Sequence, residues 1–277
     1  MIENELFTIN CFWFGSRLRW LEQVCLLSML RQGHTVRLFS YDKLQNVPDG
    51  IDLVNAEDVM PVTALHRHRR SGSASLGSNI FRYRLMSFDV GIWLDIDMLL
   101  LAPIEKSEDC VFGFQDDELI NGAVLFIPSD NDLLGELLDF TASPHPVPPF
   151  YPAPAQQLLR ARQRIGSPVH VRDMNWGVFG PQALTYFAKE TGADRYASAK
   201  HVFYPVYFDE AHRPFMASWD AALRLSDETL GLHLWNQRLR RPSHLRPDNP
   251  MGRLIVEQGS FVEQFASTEL GYNIPDE

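Results

Sequence analysis

The chain has 277 residues, 45% of them apolar and 22% charged, with a formal net charge of −10. That length holds one large α/β domain or two small ones around a substantial core, and the composition excludes a disordered chain. The negative charge argues against a general nucleic-acid or anionic-membrane binder, while leaving room for a local basic patch.

Cys11, Cys25 and Cys110 are widely spaced and form no CxxC pair. They read as small buried hydrophobes, which predicts a reducing compartment. Met1–Glu5 carries no basic segment followed by an apolar one, and no apolar run reaches the roughly 18–20 residues of a membrane span. The expectation is a cytoplasmic protein with no nucleic-acid partner and no transmembrane segment, peripheral to the inner face of a membrane at most.

Leu6–Phe14 is expected to be a buried strand ending at Gly15-Ser16, and Arg17–Leu30 a helix stopped near Gly33. His34–Tyr41 alternates as a strand, Pro48-Asp49-Gly50 is a turn, and Ile51–Val54 is a third strand. A strand–helix–strand opening suits a nucleotide-binding α/β sheet, although neither GxGxxG nor GxxxxGK[ST] is present. His66–Arg70 is basic and either binds phosphate or an acidic acceptor or is a solvated loop. Ser78 or Asn79 is placed to cap a helix over 80–88. After Gly91 an apolar strand, Ile92–Asp95, leads into Asp97 and Leu99–Leu101.

Two further strands, Val111–Phe114 and Gly122–Ile127, flank the acidic loop Asp116-Asp117-Glu118, and Asp132–Phe140 is helical. Residues 141–154 hold six prolines and read as an internal loop within one domain spanning 1–277. A basic helix follows at Ala155–Ile165, and another over Gln182–Glu190 after Gly180-Pro181. Phe203–Phe208 is an aromatic strand interrupted by Pro205, Leu230–Asn236 a short strand, and Leu254–Phe265 a C-terminal helix.

Asp95 and Asp97 are the chemical centre of this pattern. Two carboxylates in an apolar run are costly unless neutralised. On a regular strand residues two apart share a face, so both could meet one Mg²⁺ or Mn²⁺. A strand-end pair that caps backbone amides is the alternative, and Asp-x-Asp by itself does not choose. Asn79 and Arg82 share a helix face one turn apart, thirteen positions or more before the carboxylates.

Ser78-Asn79-Ile80-Phe81-Arg82-Tyr83, followed by Gly91-Ile92-Trp93-Leu94-Asp95-Ile96-Asp97, resembles the DXD-motif sugar-binding region of glycosyltransferase family 32. The α1,4-galactosyltransferase-like enzymes and the large clostridial glucosylating toxins share that region. Phe12-Trp13-Phe14-Gly15 resembles the family's first strand, and Asn121–Val124 its acceptor-side wall. Gly180-Pro181 with Leu184-Thr185 resembles its helix start, and His233-Leu234-Trp235-Asn236 its C-terminal segment. Two positions depart from the pattern: Asn79 stands where the family has Asp, and Val90 replaces the first of two glycines.

The resemblance implies a GT-A-like, Rossmann-like nucleotide-sugar-binding fold with a central mixed sheet flanked by helices. It implies a retaining hexosyltransferase that uses Mn²⁺ or Mg²⁺ and a UDP-sugar. The acceptor would be a saccharide or glycolipid, as in bacterial surface polysaccharide or lipooligosaccharide synthesis. It places the metal on Asp95, Asp97 and His233, and the base against Trp13 and Phe14. Asn79, Arg82 and Asp95 would hold the donor sugar, with Trp235 and Asn236 beside it. Asp95, Asp97 and Arg82 are the catalytic set, and Arg238 or Arg240 could reach phosphate. Asp116, Asp117 and Glu118 would touch the acceptor or remain a solvated loop. Two other classes stay open: a non-catalytic nucleotide-sugar binder, motivated by Asn79, and an Asp-dependent phosphohydrolase.

Overall fold

The computed structural model describes residues 5–239 and 254–275. Nine strands are present among them: β1 Ile9–Trp13, β2 Val36–Ser40, β3 Ile51–Asn55, β4 Ile92–Leu94, β5 Met98–Leu100, β6 Val111–Phe114, β7 Ile120–Phe126, β8 Ala197–Ser198 and β9 Gly231–His233. The α-helices are α1 Trp20–Arg31, α2 Ser75–Met86, α3 Asp132–Thr141, α4 Ala153–Arg164, α5 Pro181–Thr191, and the single turns α6 Lys200–Phe203, α7 Asn236–Leu239 and α8 Phe261–Gln264. The protein is α/β, with a seven-stranded mixed sheet in the order β3-β2-β1-β4-β7-β6-β8 flanked by helices, and a separate two-stranded β5-β9 sheet. No described helix is long and apolar enough to cross a membrane.

The chain divides into two compact units. The first comprises Met1–Leu53, Leu94–Lys106 and Ala199–Glu277. In it β1 runs parallel to β2, pairing Ile9 with Val36 and Cys11 with Leu38. All four side chains are fully buried. Strands covered on both faces favour such near-continuous apolar runs. Helix α1 buries Leu21, Val24, Cys25 and Met29, positions three or four apart. From the same helix Ser28 Oγ accepts the Leu100 N–H at 2.8 Å and so ties α1 to β5. Strand β5 pairs antiparallel with β9, with Met98 opposite His233 and Leu100 opposite Gly231.

The second unit comprises Val54–Trp93 and Ser107–Ser198. Here β6 pairs antiparallel with β7 through a register shift, and parallel with β8. The hydroxyl of Thr185 in α5 accepts the Ile120 N–H of β7 at 2.8 Å. Asp116 closes the β6–β7 turn by accepting the Glu118 and Leu119 N–H groups at 2.9 and 2.8 Å. Its carboxylate therefore has a structural task in the acidic loop.

Four local expectations change. Helix α2 starts at Ser75, so Ser78 and Asn79 lie inside it and do not cap it. Within it, a Cβ at Gly77 would lie 2.3 Å from Leu65 Cδ1; glycine admits Leu65 against the helix. Asp95 and Asp97 do not share a strand: β4 ends at Leu94, and the two flank a turn in which Met98 N–H donates to Asp95 O at 3.0 Å. Phe203–Phe208 forms no strand; Tyr204 N–H closes α6 on Lys200 O, and Pro205 has no N–H for a ladder. The C-terminal helix begins only at Phe261, after Gly259 at φ +82°, and continues as a π-type turn, Phe265–Glu269. Arg240 and Arg241 lie outside the described residues.

Candidate metal centre

The β5–β9 register builds the centre. Because Met98 faces His233, Asp97 at the mouth of β5 meets the imidazole across 136 residues of chain. His233 Nε2 lies 3.2 Å from Asp97 Oδ1. The other oxygen, Oδ2, accepts the Asn236 backbone N–H at 2.8 Å. Asp95, Asp97 and His233 each present one ligand atom, and these atoms lie within 4.8 Å of one another. Among the described residues this is the one group of three such side chains disposed to hold a metal ion.

The backbone reaches this arrangement through Trp235, which sits at φ +52°. A bulky residue in the left-handed region is strained and persists only where its surroundings over-determine it. Trp235 is buried, its Nε1 donates to Val206 O at 2.9 Å, and its ring meets His233 at 4.0 Å between centroids. The anchored ring turns the chain so that the Asn236 N–H points at Asp97.

Behind the centre stands a residue the sequence did not single out. Glu22 is fully buried in the first turn of α1. One of its oxygens accepts the Asn236 Nδ2–H at 2.5 Å, and the other accepts the Arg19 N–H at 2.8 Å. The second bond is the reach-back half of a capping box, from the N3 carboxylate to the N-cap N–H, and a helix N-terminus favours a negative group. The signal was available: Glu22 is an acid among apolar positions three residues into a helix. Nothing local reveals that it serves Asn236, 214 residues away.

Burial acts to push the Asp97 carboxyl up, but the adjacent His233 and the Asn236 N–H outweigh it and hold the group below its ordinary value. Burial first, then the carboxylates of Asp95 and Asp97, push the Cys11 thiol far up. Cys25 is raised likewise by burial, Asp97 and Glu22. Burial keeps both thiols protonated, and neither belongs to the group disposed to hold an ion. The remaining donor set, two carboxylates and an imidazole, suits Mn²⁺ or Mg²⁺ better than a thiophilic metal. His233 Nδ1 is buried without a hydrogen-bond partner, so only Nε2 is engaged and directed to the carboxylates. These residues fit a divalent cation.

Trp13 and Phe14 belong to the same unit. Trp13 ends β1 and Phe14 follows it, at the carboxyl edge where open α/β sheets bind ligands. Both are partly exposed. Phe14 meets Tyr41 edge-on, and Trp13 Nε1 stands where a Cβ on Gly15 would come within 3.3 Å.

Arg82 and Asn79 belong to the second unit. Arg82 is 5% exposed; its Nη1 donates to Gly122 O, its Nη2 to Ser78 Oγ at 3.5 Å, and its guanidinium lies 4.9 Å from the centre of the Trp93 ring. A Cβ at Gly122 would fall 2.8 Å from Nη1, so glycine there admits the arginine. The Asn79 amide lies against Gly180, where a Cβ would meet Nδ2 at 2.8 Å. Asn121 is held by Gln115 and accepts the Ala123 N–H. Arg238 stacks 5.5 Å from the Phe208 ring.

Fold and site together define an α/β protein with a candidate carboxylate–histidine metal centre. No protein-family model matches the chain, and no curated protein matches it significantly.

Proposed function

We propose that the protein is a metal-dependent, retaining glycosyltransferase of GT-A-like fold that moves a sugar from a UDP-sugar to a saccharide or glycolipid acceptor. The observation that carries this reading is the meeting of Asp95, Asp97 and His233. The DXD resemblance assigns the metal to those three residues, and they come from segments far apart in sequence. Asp97, Asp95 and His233 would hold Mn²⁺ or Mg²⁺. The chemistry that a bound cation supplies is Lewis-acid neutralisation of the charge on a departing diphosphate.

The chain's own residues do the rest. His233 and the Asn236 N–H keep Asp97 ionised, and Glu22 holds Asn236 in place for that task. Trp13 and Phe14 offer aromatic faces to a nucleobase. Arg82 and Asn79 are assigned to the donor sugar by the resemblance; Asn79 can donate as well as accept, where the family's Asp only accepts. No side chain is assigned as nucleophile, and a front-face route using the leaving phosphate as base requires none. The reading implies a cytoplasmic enzyme of polysaccharide or lipooligosaccharide synthesis.

The test is donor hydrolysis and transfer over a panel of UDP- and GDP-sugars, with Mn²⁺ or with EDTA. Metal-dependent turnover of one donor, lost in Asp97→Ala, is expected. Binding without turnover would favour the second reading, a nucleotide-sugar binder, for which Asn79 is the motivating residue. Turnover unaffected by Asp97→Ala would overturn the metal assignment.

A further inference from the structure

Helix α4 in the second unit is an amphipathic element whose outer face, from Leu158 and Arg160 to Ile165, is exposed. None of its twelve residues is buried. Helices of this length are marginal in water, and most owe their stability to a packed face. Two large aliphatic side chains stand out from it, Leu158 at 62% and Ile165, its cap residue, at 78% exposure.

At about 100° per residue, Leu158, Ala161 and Ile165 fall on one stripe. Arg162 borders that stripe on one side, and Arg160 and Arg164 lie on the other. No acidic residue occurs between Asp139 and Asp173, a stretch that holds four arginines in a chain of net charge −10. The fourth, Arg172, accepts the Arg69 N–H through its carbonyl at 3.1 Å; Arg69 itself pairs with Asp173 at 2.9 Å, so the positive charge of the patch is that of α4 and Arg172. The loop under α4 is held to it, because Gln163 Nε2 donates to His145 O at 2.8 Å.

We propose that α4 is a docking surface for an anionic lipid bilayer, lying in the interface with Leu158 and Ile165 inserted and its arginines at the level of the phosphates. The charge segregation selects an anionic occupant. The apolar stripe selects a lipid surface over a nucleic acid or another polyanion, which would leave that stripe in water. Long arginine side chains flanking an aliphatic stripe suit this position, since their stems bury while their heads stay wet. The inference does not depend on the enzymatic reading.

The test is flotation of the full-length protein with vesicles of phosphatidylcholine alone or with 30% phosphatidylglycerol, at low and physiological salt. The protein should float with the anionic vesicles and not with the neutral ones. Charge reversal of Arg160, Arg162 and Arg164 to Glu should weaken binding by at least about tenfold. L158S with I165S should weaken it several-fold and make the remainder more salt-sensitive. All these positions are exposed, and circular dichroism with a melting curve checks that each variant folds. Absence of flotation with anionic vesicles at low salt would overturn the proposal, as would unchanged flotation of either variant. Soluble heparin that binds as tightly as the vesicles, and equally to L158S/I165S, would replace the lipid surface by a polyanion.

Discussion

Asp97 has both carboxylate oxygens engaged, one by His233 and one by the Asn236 N–H. Its low pKa follows from those partners. Glu22 stands one step behind, and outer partners of metal ligands are typically worth 10–100-fold in metal affinity. Glu22→Gln keeps the shape but turns an NH₂ toward either Asn236 or the Arg19 N–H. We expect Mn²⁺ affinity, read by isothermal titration, to fall about tenfold or more in Glu22→Gln. Asp97→Ala, which deletes a ligand, should lose at least about a hundredfold. If Glu22→Gln binds Mn²⁺ like the parent, the chain from Glu22 through Asn236 does not govern the site.

His34 makes a second residue-scale argument. Its Nε2 accepts the Ile104 N–H at 3.1 Å, so the proton sits on Nδ1, 2.8 Å from Phe7 O. The ring is needed neutral, and burial, outweighing the Phe7 carbonyl, lowers its pKa below the ordinary 6.5. Above that value the ring is neutral in both folded and unfolded chains. As pH falls below 6.5 the unfolded chain takes the proton first, and stability is lost until the folded ring titrates too. The melting temperature should therefore drop between pH 7 and pH 5, and less steeply in His34→Gln; an identical slope in the variant would rule His34 out as the cause.

Among the elements, α2 shows propensity overruled by packing. Alanine normally improves a helical glycine by about 1 kcal/mol. At Gly77 the new methyl would meet Leu65 at 2.3 Å and the His66 carbonyl at 3.0 Å. Overpacking of this kind costs about 1–3 kcal/mol. Gly77→Ala should therefore lower stability in urea titration, and a gain would mean that Leu65 moves aside freely. The β5–β9 pair shows the same dominance of tertiary context. Each strand has three residues, too few to persist alone, yet their register sets the metal centre. Leu99, fully buried in β5, should cost about 2–5 kcal/mol on truncation to Ala, and the cost should appear in Mn²⁺ affinity as well.

On the scale of the whole molecule, a cation bound only by the folded chain stabilises it by mass action. At a hundredfold excess over Kd the gain is about 2.7 kcal/mol. Mn²⁺ should raise the melting temperature, EDTA should reverse the rise, and Asp97→Ala should abolish it. A rise that persists in Asp97→Ala would move the metal elsewhere. Every ligand in this argument lies in the first unit, so the effect should be read on the unfolding of that unit.

Most strands and helices were legible because burial imposes a period on the chain. Cys11 and Leu38 in a covered parallel pair, and Leu21 with Val24 and Cys25 three and four positions on in α1, are local signals. The Asp-x-Asp signal was local too, although the geometry behind it is a turn and not one face of a strand. The start of α2 was misplaced because Ser78 and Asn79 are good local caps, while the contact that Gly77 admits inside the helix, Leu65, is a tertiary neighbour.

By itself the sequence determined the apolar periodicities, the segregation of charge around α4 and the presence of two carboxylates that need a partner. Only the tertiary structure decided what that partner is. Strand register set Asp97 beside His233, and a strained Trp235 aimed the Asn236 N–H at the same carboxylate. Glu22 joined them from the first helix. Local spacing encodes propensity and facing, whereas pairings across more than a hundred residues are selected by the burial they achieve together.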